Sequence, residues 1–487
     1  MNPFEQNHQF NTRRQFFGQT ATGIGVAALS SLLGRDLVAD ETATTKTESI
    51  DGLGLHHKGK AKRVIYLMMS GGPSHIDMFD YKPTLYEKNG EQLPDSVRQG
   101  QRLTTMTSNQ KQLPVLQPHK PFQEYGRSRM MLSTMIPYTG SIADDICLVK
   151  SMNTEAINHA PAATFFLTGS QIPGRPSMGA WLSYGLGSLN DNLPSFVVMN
   201  SRDRQLSCGQ LLYDYYWGSG FIPSQHQGVQ FRAAGDPVLY LSNPPGMPRH
   251  LRRKMLDRLA ELNQEKLQEF GDPEIETRIK QYEMAYRMQA SVPELVDISD
   301  EPDHVLDMYG DDVKRPGSFA RHCLMARRLA EKDVRFIQLM HIGWDQHANI
   351  PSQLEIQCKD TDQPAAALVK DLKQRGLLED TLVIFGGEFG RTTFAQGDIR
   401  GNRYGRDHHG RVFSLWMAGG GLKSGFQYGE SCPYGWNVAK NGVHVHDWQA
   451  TVLHLLGINH ELLTYRYQGR RFRLTDVHGH VVDDLIA

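Results

Sequence analysis

Stretches of uninterrupted apolar residues alternate along this chain with segments of helical period, and each apolar stretch ends at glycine or at a polar cluster. Residues 381–391, TLVIFGGEFGR, are the clearest case: a β-forming run stops at Gly386-Gly387 and then presents Glu388. Upstream, residues 364–376 (PAAALVKDLKQRG) set Leu368, Val369 and Leu372 on one face and end at Gly376, which predicts a helix feeding that strand. The same reading predicts strands at 63–69 (RVIYLMM), 144–151, 195–200, 333–340 and 412–418. Runs this continuously apolar suit strands buried on both faces, as in a parallel sheet. Helices are predicted at 318–332, opened by the capping residue Ser318, and at 448–456, stopped by Gly457. The segment 158–169 predicts a loop turning into a helix whose first N–H groups are open to an anion, and 179–187 reads as a helix end and turn. Residues 248–308 are polar with helical spacing, a helical insertion on the surface; 85–125 shows little period, and 213–245 is aromatic- and glycine-rich, able to shape a substrate pocket or merely to pack. The expected class is therefore α/β, with a mostly parallel central sheet between helical layers and with loop and helical insertions.

At 487 residues, 39% hydrophobic and 22% charged, the chain is long enough for one large decorated domain. A formal net charge of -1 gives no reason to expect a nucleic-acid partner. Five widely spaced cysteines without a C-x-x-C pair predict neither a disulfide framework nor a thiolate zinc site. The first residues have another character. Arg13-Arg14 precede Phe16-Phe17 and a weakly apolar, uncharged run at 20–34, too short to span a bilayer, which needs roughly 20 apolar residues. This pattern resembles a twin-arginine export signal. It implies a signal peptide over 1–39, a linker over 40–60 and a domain over 61–487. It further implies the twin-arginine export machinery as a partner, a periplasmic or secreted mature protein, and no stable membrane span in it.

Candidate chemistry sits at strand ends, where open α/β sheets hold ligands. After the first strand come His75 and Asp77, with Asp77 and Asp80 equally readable as turn or helix caps. After the strand at 333–340 come Asp345 and His347, an oxygen and an imidazole suited to zinc or manganese, unless His347 caps a helix or packs on Trp344. Adjacent His408 and His409 predict one ligand and one supporting or substrate contact. With Glu388 these residues form the candidate metal set, for zinc or manganese, with calcium as a further candidate that nitrogen ligands disfavour on its own. Thr164, Arg391 and Arg406 are the expected substrate contacts.

The order of these motifs resembles the alkaline phosphatase superfamily over most of 63–457, and its fold would be a three-layer α/β/α sandwich. TLVIFGGEFG is similar to the sulfatase pattern T-L-V-x-F-T-S-D-N-G, with Glu388 at the aspartate. Residues 158–169 resemble the sulfatase segment C/S-x-P-x-R-x-x-L-L-T-G, which puts His159 at the nucleophile and Ala163 at the arginine. HDWQATVLHLLG is similar to the D-x-x-P-T-x-L-x-L-x-G helix, with Ala450 for the proline. Together with G-G-P-S-H-x-D, G-W-D-x-H, G-G-E-F-G-R-T and the ending RRFRLTDVHGHVV, the set most closely resembles the exported "domain of unknown function 1501" proteins, often labelled sulfatase-like. The departures are specific. Ser70 or Gly71 stands where the first metal-binding aspartate belongs, so a replacement comes from His75 or Asp77, and no cysteine or serine stands at the nucleophile. The resemblance implies a metal-dependent hydrolase of a phosphate or sulfate ester, or a related anionic or carbohydrate ester, with His159 as catalytic residue. As a nucleophile, His159 would attack phosphorus itself; as a metal ligand it would leave the attack to water; as neither, it would only hydrogen-bond its loop. The other class is an exported binding or assembly protein on the same fold with a degenerate site.

Overall fold

In the computed structural model, residues 54–487 are described except 205–209, 234–235, 239–240, 245 and 402, so the proposed signal peptide and most of the linker lie outside the described residues. The central sheet holds nine strands: β1 (Arg63–Ser70), β2 (Ile146–Asn153), β3 (Phe196–Arg202), β4 (Val229–Phe231), β5 (Phe336–Ile342), β6 (Thr381–Gly386), β7 (Phe413–Ala418), β8 (Phe426–Tyr428) and β9 (Val443–His444). Their order is β8-β2-β7-β6-β1-β5-β3-β4, with β9 also on β2. All pairings are parallel except the two made by β7, which runs antiparallel to β2 and β6.

All eight residues of β1 are buried, and the pleat divides them between two cores. Ile65, Leu67 and Met69 join Leu339, Leu324 and Leu368, whereas Val64, Tyr66 and Met68 join Ile384, Phe166 and Trp448. The first core packs under α5 (Phe319–Glu331) and α6 (Ile350–Gln374), the second under α1 (His159–Thr168), α2 (Met178–Leu186) and α7 (Val445–Leu455). Alternation of period two thus buries one strand against two helical layers, which is why its sequence reads as continuously apolar. The three-layer, mostly parallel α/β architecture is the one the sequence predicts. The insertion at 248–308 is helical, with α3 (Arg249–Phe270) and α4 (Pro273–Val296) as its long members. Four of the five cysteines are described, and all four are free.

Two elements differ from expectation. The helix before β6 begins at Ile350 and carries Pro364 in its interior; proline forfeits one backbone bond, but Ala365, Leu368 and Leu372 bury the following turns. Residues 179–187 are not a helix end, since the helix Met178–Leu186 runs through them with Ser177 as its cap. Glycines in that stretch drew the expectation of a turn, and burial of Trp181 and Leu182 overrides the propensity.

Candidate metal centre

Three strand ends bring the chemistry together. Asp345 and His347 follow β5, His159 opens α1 after β2, and His408 lies in a two-residue strand, His408–His409, paired antiparallel with Gly390–Arg391 beyond β6. One ligand atom from each of His159, Asp345, His347 and His408 falls within 4.8 Å of the other three. Asp345 Oδ1 lies 3.1 Å from His159 Nε2, 2.9 Å from His347 Nε2 and 3.4 Å from His408 Nε2. The two latter nitrogens are 2.9 Å apart.

The outer ring nitrogens determine what the inner ones can do. His159 Nδ1–H donates to Glu388 Oε1 at 2.5 Å, His347 Nδ1–H to Gln396 Oε1 at 2.6 Å, and His408 Nδ1–H to the Ile157 carbonyl at 2.8 Å. A neutral imidazole has one N–H, so in its neutral form, the one a cation requires, each ring turns an Nε2 lone pair inward. Three imidazole nitrogens and a carboxylate oxygen thus converge, a set that a cation between them would hold together. His159 Nε2 is buried and, although close to Asp345, is not aligned for a hydrogen bond to it. Ligands at roughly 2.1 Å from a tetrahedral ion lie about 3.4 Å from each other, in keeping with the separations here. The donor set therefore fits a divalent metal. Acceptors that fix metal-binding histidines through the second nitrogen are usual at such sites.

Electrostatics follows the same geometry. Burial would raise the pKa of Asp345, but the adjoining His159, His347 and His408 rings and the charge of Arg391 outweigh it and hold the carboxyl well below its ordinary range. Burial would lower that of His159, yet Asp345 and Glu388 raise it overall. Burial brings His408 down to about 4, with Asp345 opposing and Arg391 adding to the fall. His347 is the most open member, its side chain 19% exposed against 8% or less for the others.

The remaining expected site residues are placed elsewhere. Glu388 stands behind His159, its two oxygens accepting from Gly71 N at 3.0 and 3.3 Å, and it is outside the four-residue cluster. That approach requires glycine: Gly71 has φ +120, and a Cβ there would come within 2.6 Å of Asp345 N. His409 turns away, donating from Nε2 to the Trp436 carbonyl at 2.6 Å, as its neighbour in the strand must face the other side. His75 lies against the Gly435 carbonyl and Arg391 N. Asp77 pairs with Arg406 at 2.7 Å and also accepts from Ser74 and from His119 N. Neither His75 nor Asp77 replaces the missing first-strand aspartate in the cluster.

The expected substrate contacts are likewise committed. Thr164 Oγ1 donates to the Ala160 carbonyl within its own helix. Arg406, fully buried, is held by Asp77 and the carbonyls of Leu116, Gln117 and Thr392. Arg391 donates to the carbonyls of Gly71, Gly72, Trp344 and Arg406 and pairs with Asp345 at 2.8 Å. Two participants carry no sequence signal. Gln210 Nε2 donates to Asp345 Oδ2 at 2.6 Å, and Gln396 orients His347. Phe389, two residues from the glycine pair, covers His159 and His408 with ring centroids 4.7 and 4.8 Å away.

Fold and site together define a three-layer α/β protein with a histidine–aspartate cluster that could hold a metal ion at the carboxyl edge of its sheet. The chain belongs to the family described as "Protein of unknown function (DUF1501)", which matches residues 61–486. No curated protein matches the sequence. Solved structures that resemble it include Ps i-CgsB in complex with k-i-k-neocarrahexaose, at 9% identity, covering 82% of this chain and 72% of that one with a TM-score of 0.34. A sulfatase from Pseudoalteromonas sp. shares 12% identity over 83% of this chain and 69% of its own, with a TM-score of 0.32. A TAB5 alkaline phosphatase variant with magnesium bound has the same identity and TM-score, over 82% of this chain and 98% of its own. Likenesses at these scores establish no shared function.

Proposed function

We propose that this chain is an exported, metal-dependent hydrolase of a phosphate or sulfate ester, or of a related anionic substrate, working with one divalent ion, zinc or manganese. The observation that supports it is the convergence of three histidine Nε2 atoms on one carboxylate, each ring having an acceptor behind its Nδ1. Nitrogen donors outnumber oxygen three to one, which disfavours calcium and suits zinc or manganese. A bound ion would supply Lewis acidity at the ester oxygen and lower the pKa of a water toward roughly 7.

The chain's own residues do the rest. Gly71 N–H holds Glu388, Glu388 holds the Nδ1 proton of His159, and Arg391 offsets the charge of Asp345. Nδ1 of His159 is thereby committed and Nε2 lies against Asp345, His347 and His408, which favours the ligand over the nucleophile for this residue. His347 is the most exposed of the four side chains, which makes its side the one open to a substrate.

A second reading, a binding or assembly protein with a degenerate site, draws support from the arginines. Arg391 and Arg406 are both buried and fully bonded, leaving neither for an anionic group. Elemental analysis with a panel of nitrophenyl phosphate, sulfate and phosphonate esters separates the readings. Stoichiometric metal with metal-dependent turnover is the expected result; metal without turnover on any ester selects the binding protein, and absence of metal after reconstitution removes the metal centre. Export rests on Arg13-Arg14 and on nothing in the described residues, none of whose helices is long and apolar enough to cross a membrane. Replacing the pair by lysines should trap precursor in the cytoplasm, and undiminished export would reject the twin-arginine route.

A further inference from the structure

Helix α3, the first long member of the insertion, has two faces of different character. Its inner face rests on α4. The guanidinium carbons of Arg249 and Arg253 lie 5.0 and 4.8 Å from the centre of the Tyr286 ring, Arg253 Nη1 donates to Glu283 Oε2 at 2.9 Å, and Leu256 is 5% exposed. On the face turned away, at roughly 3.6 residues per turn, Leu251, Met255 and Leu262 fall within an arc of about 40°. They are 46%, 45% and 56% exposed, and Phe270, which closes the helix, is 53% exposed. None of the four belongs to a hydrophobic cluster of the described residues. Single apolar residues on a surface need no explanation, but a row of them along one helix face marks an interaction site.

The charges along α3 run against the helix's own dipole. Residues 249–258 carry five cations against Asp257, and residues 259–270 carry three acids against Lys266. A helix favours acids at its start and bases at its end, so this distribution works against an isolated α3. Some of these charges are answered locally, Arg253 by Asp257 and Glu283, and Arg258 by Glu261 at 2.6 Å. Lys254, Glu265 and Glu269 have no side-chain partner among the described residues. Lys254, Arg258, Glu265 and Glu269 all fall on one flank of the apolar row, two cations followed by two acids.

We propose that α3 is the contact between two copies of this chain, paired antiparallel about a two-fold axis near Leu262. In that arrangement the charged flank of one helix faces the same flank of the other. Arg258 meets Glu265 of the second copy, Lys254 meets its Glu269, and Leu251 reaches its Phe270, while the two Leu262 side chains meet at the axis. A two-fold contact must be self-complementary, and a helix that is basic in its first half and acidic in its second complements itself only in the antiparallel sense. Parallel pairing would set Lys254 on Lys254 and Glu269 on Glu269. An acidic ligand or an anionic membrane surface would meet the first half of the pattern and be repelled by the second. The contact uses no residue of the metal centre.

Sedimentation equilibrium of the metal-loaded chain, from low micromolar to tens of micromolar concentration, tests this. A monomer–dimer equilibrium is expected, and Leu262→Glu, which sets two acids against each other at the axis, should leave monomer throughout that range. The double variant Lys254→Glu, Arg258→Glu makes the flank wholly acidic, and Glu265→Lys, Glu269→Lys makes it wholly basic. Each alone should weaken the dimer about tenfold or more, and an equimolar mixture of the two should restore it as a mixed pair. All five side chains are exposed, so the variants keep the fold. Monomer at every concentration overturns the proposal, as does a dimer indifferent to Leu262→Glu or a mixture that associates no better than its components. A chain that stays monomeric but floats with phosphatidylglycerol vesicles would assign this face to a membrane surface and also overturn it.

Discussion

Two buried aspartate–arginine pairs stand on the same edge of the sheet, and they differ in what else reaches the carboxylate. Asp77 meets Arg406, the Ser74 hydroxyl and the His119 amide, all of them donors, so its charge is fully answered by the protein. Asp345 meets Arg391 and Gln210, but also three imidazole nitrogens whose protons point the other way. A carboxylate saturated by N–H and O–H groups holds loops together; one faced by three imidazole nitrogens is placed to share a cation with them. The histidines divide in the same manner. His409 gives its Nε2 proton to a carbonyl, while His408, its chain neighbour, gives its Nδ1 proton to a carbonyl and keeps Nε2 for the cluster.

The sharpest break in this comparison is Asp345→Asn against Arg406→Met. Asp345→Asn should take bound metal from stoichiometric to undetectable by elemental analysis, while metal retained at full content would show that the aspartate is another linker like Asp77. Arg406→Met leaves Asp77 and several carbonyls buried without their donor, and should destabilise the fold by about 3–5 kcal/mol in urea unfolding while the folded fraction keeps its metal. Equal metal loss in both variants would erase the distinction.

Glu388→Gln sharpens the comparison from behind. As the acceptor for His159 Nδ1 rather than a ligand, Glu388 should weaken metal affinity by about 10–100-fold when its charge is removed. A loss as complete as that of Asp345→Asn, read by chelator competition, would make it a ligand after all.

The last effect lies in pH dependence and shows only below neutrality. Burial pushes His409 down to about 3, so the folded protein holds it neutral while the unfolded chain takes up a proton below about 6.5. Its contribution is complete above that pH and falls away as pH drops toward about 3, at about 1.4 kcal/mol per pH unit. His409→Phe should reduce the slope of stability against pH by that amount between those limits, with metal content unchanged. A slope identical to wild type would mean that the ring is not held neutral by the fold.

By itself, the sequence determined the strands and their sidedness. Apolar runs such as 63–69 and 381–386 read as doubly buried because they are, and the polar residues that end them had to lie on one edge, since parallel strands share a direction. It also determined the segments that bring ligands, after β5 and at the start of α1. It did not determine which atom faces which. His75, Asp77, His159, Glu388, His408 and His409 are equivalent in a string of letters, each polar and near a strand end. The tertiary structure sorted them by placing Arg406 against Asp77, Trp436 over His409 and Gly71 against Glu388. Pairings of this kind join residues tens to hundreds of positions apart, and the direction of a proton on an imidazole depends on the acceptor behind it. Gln210 and Gln396 show the same limit, because an uncharged amide gains a role only from the carboxylate or imidazole that folding sets beside it.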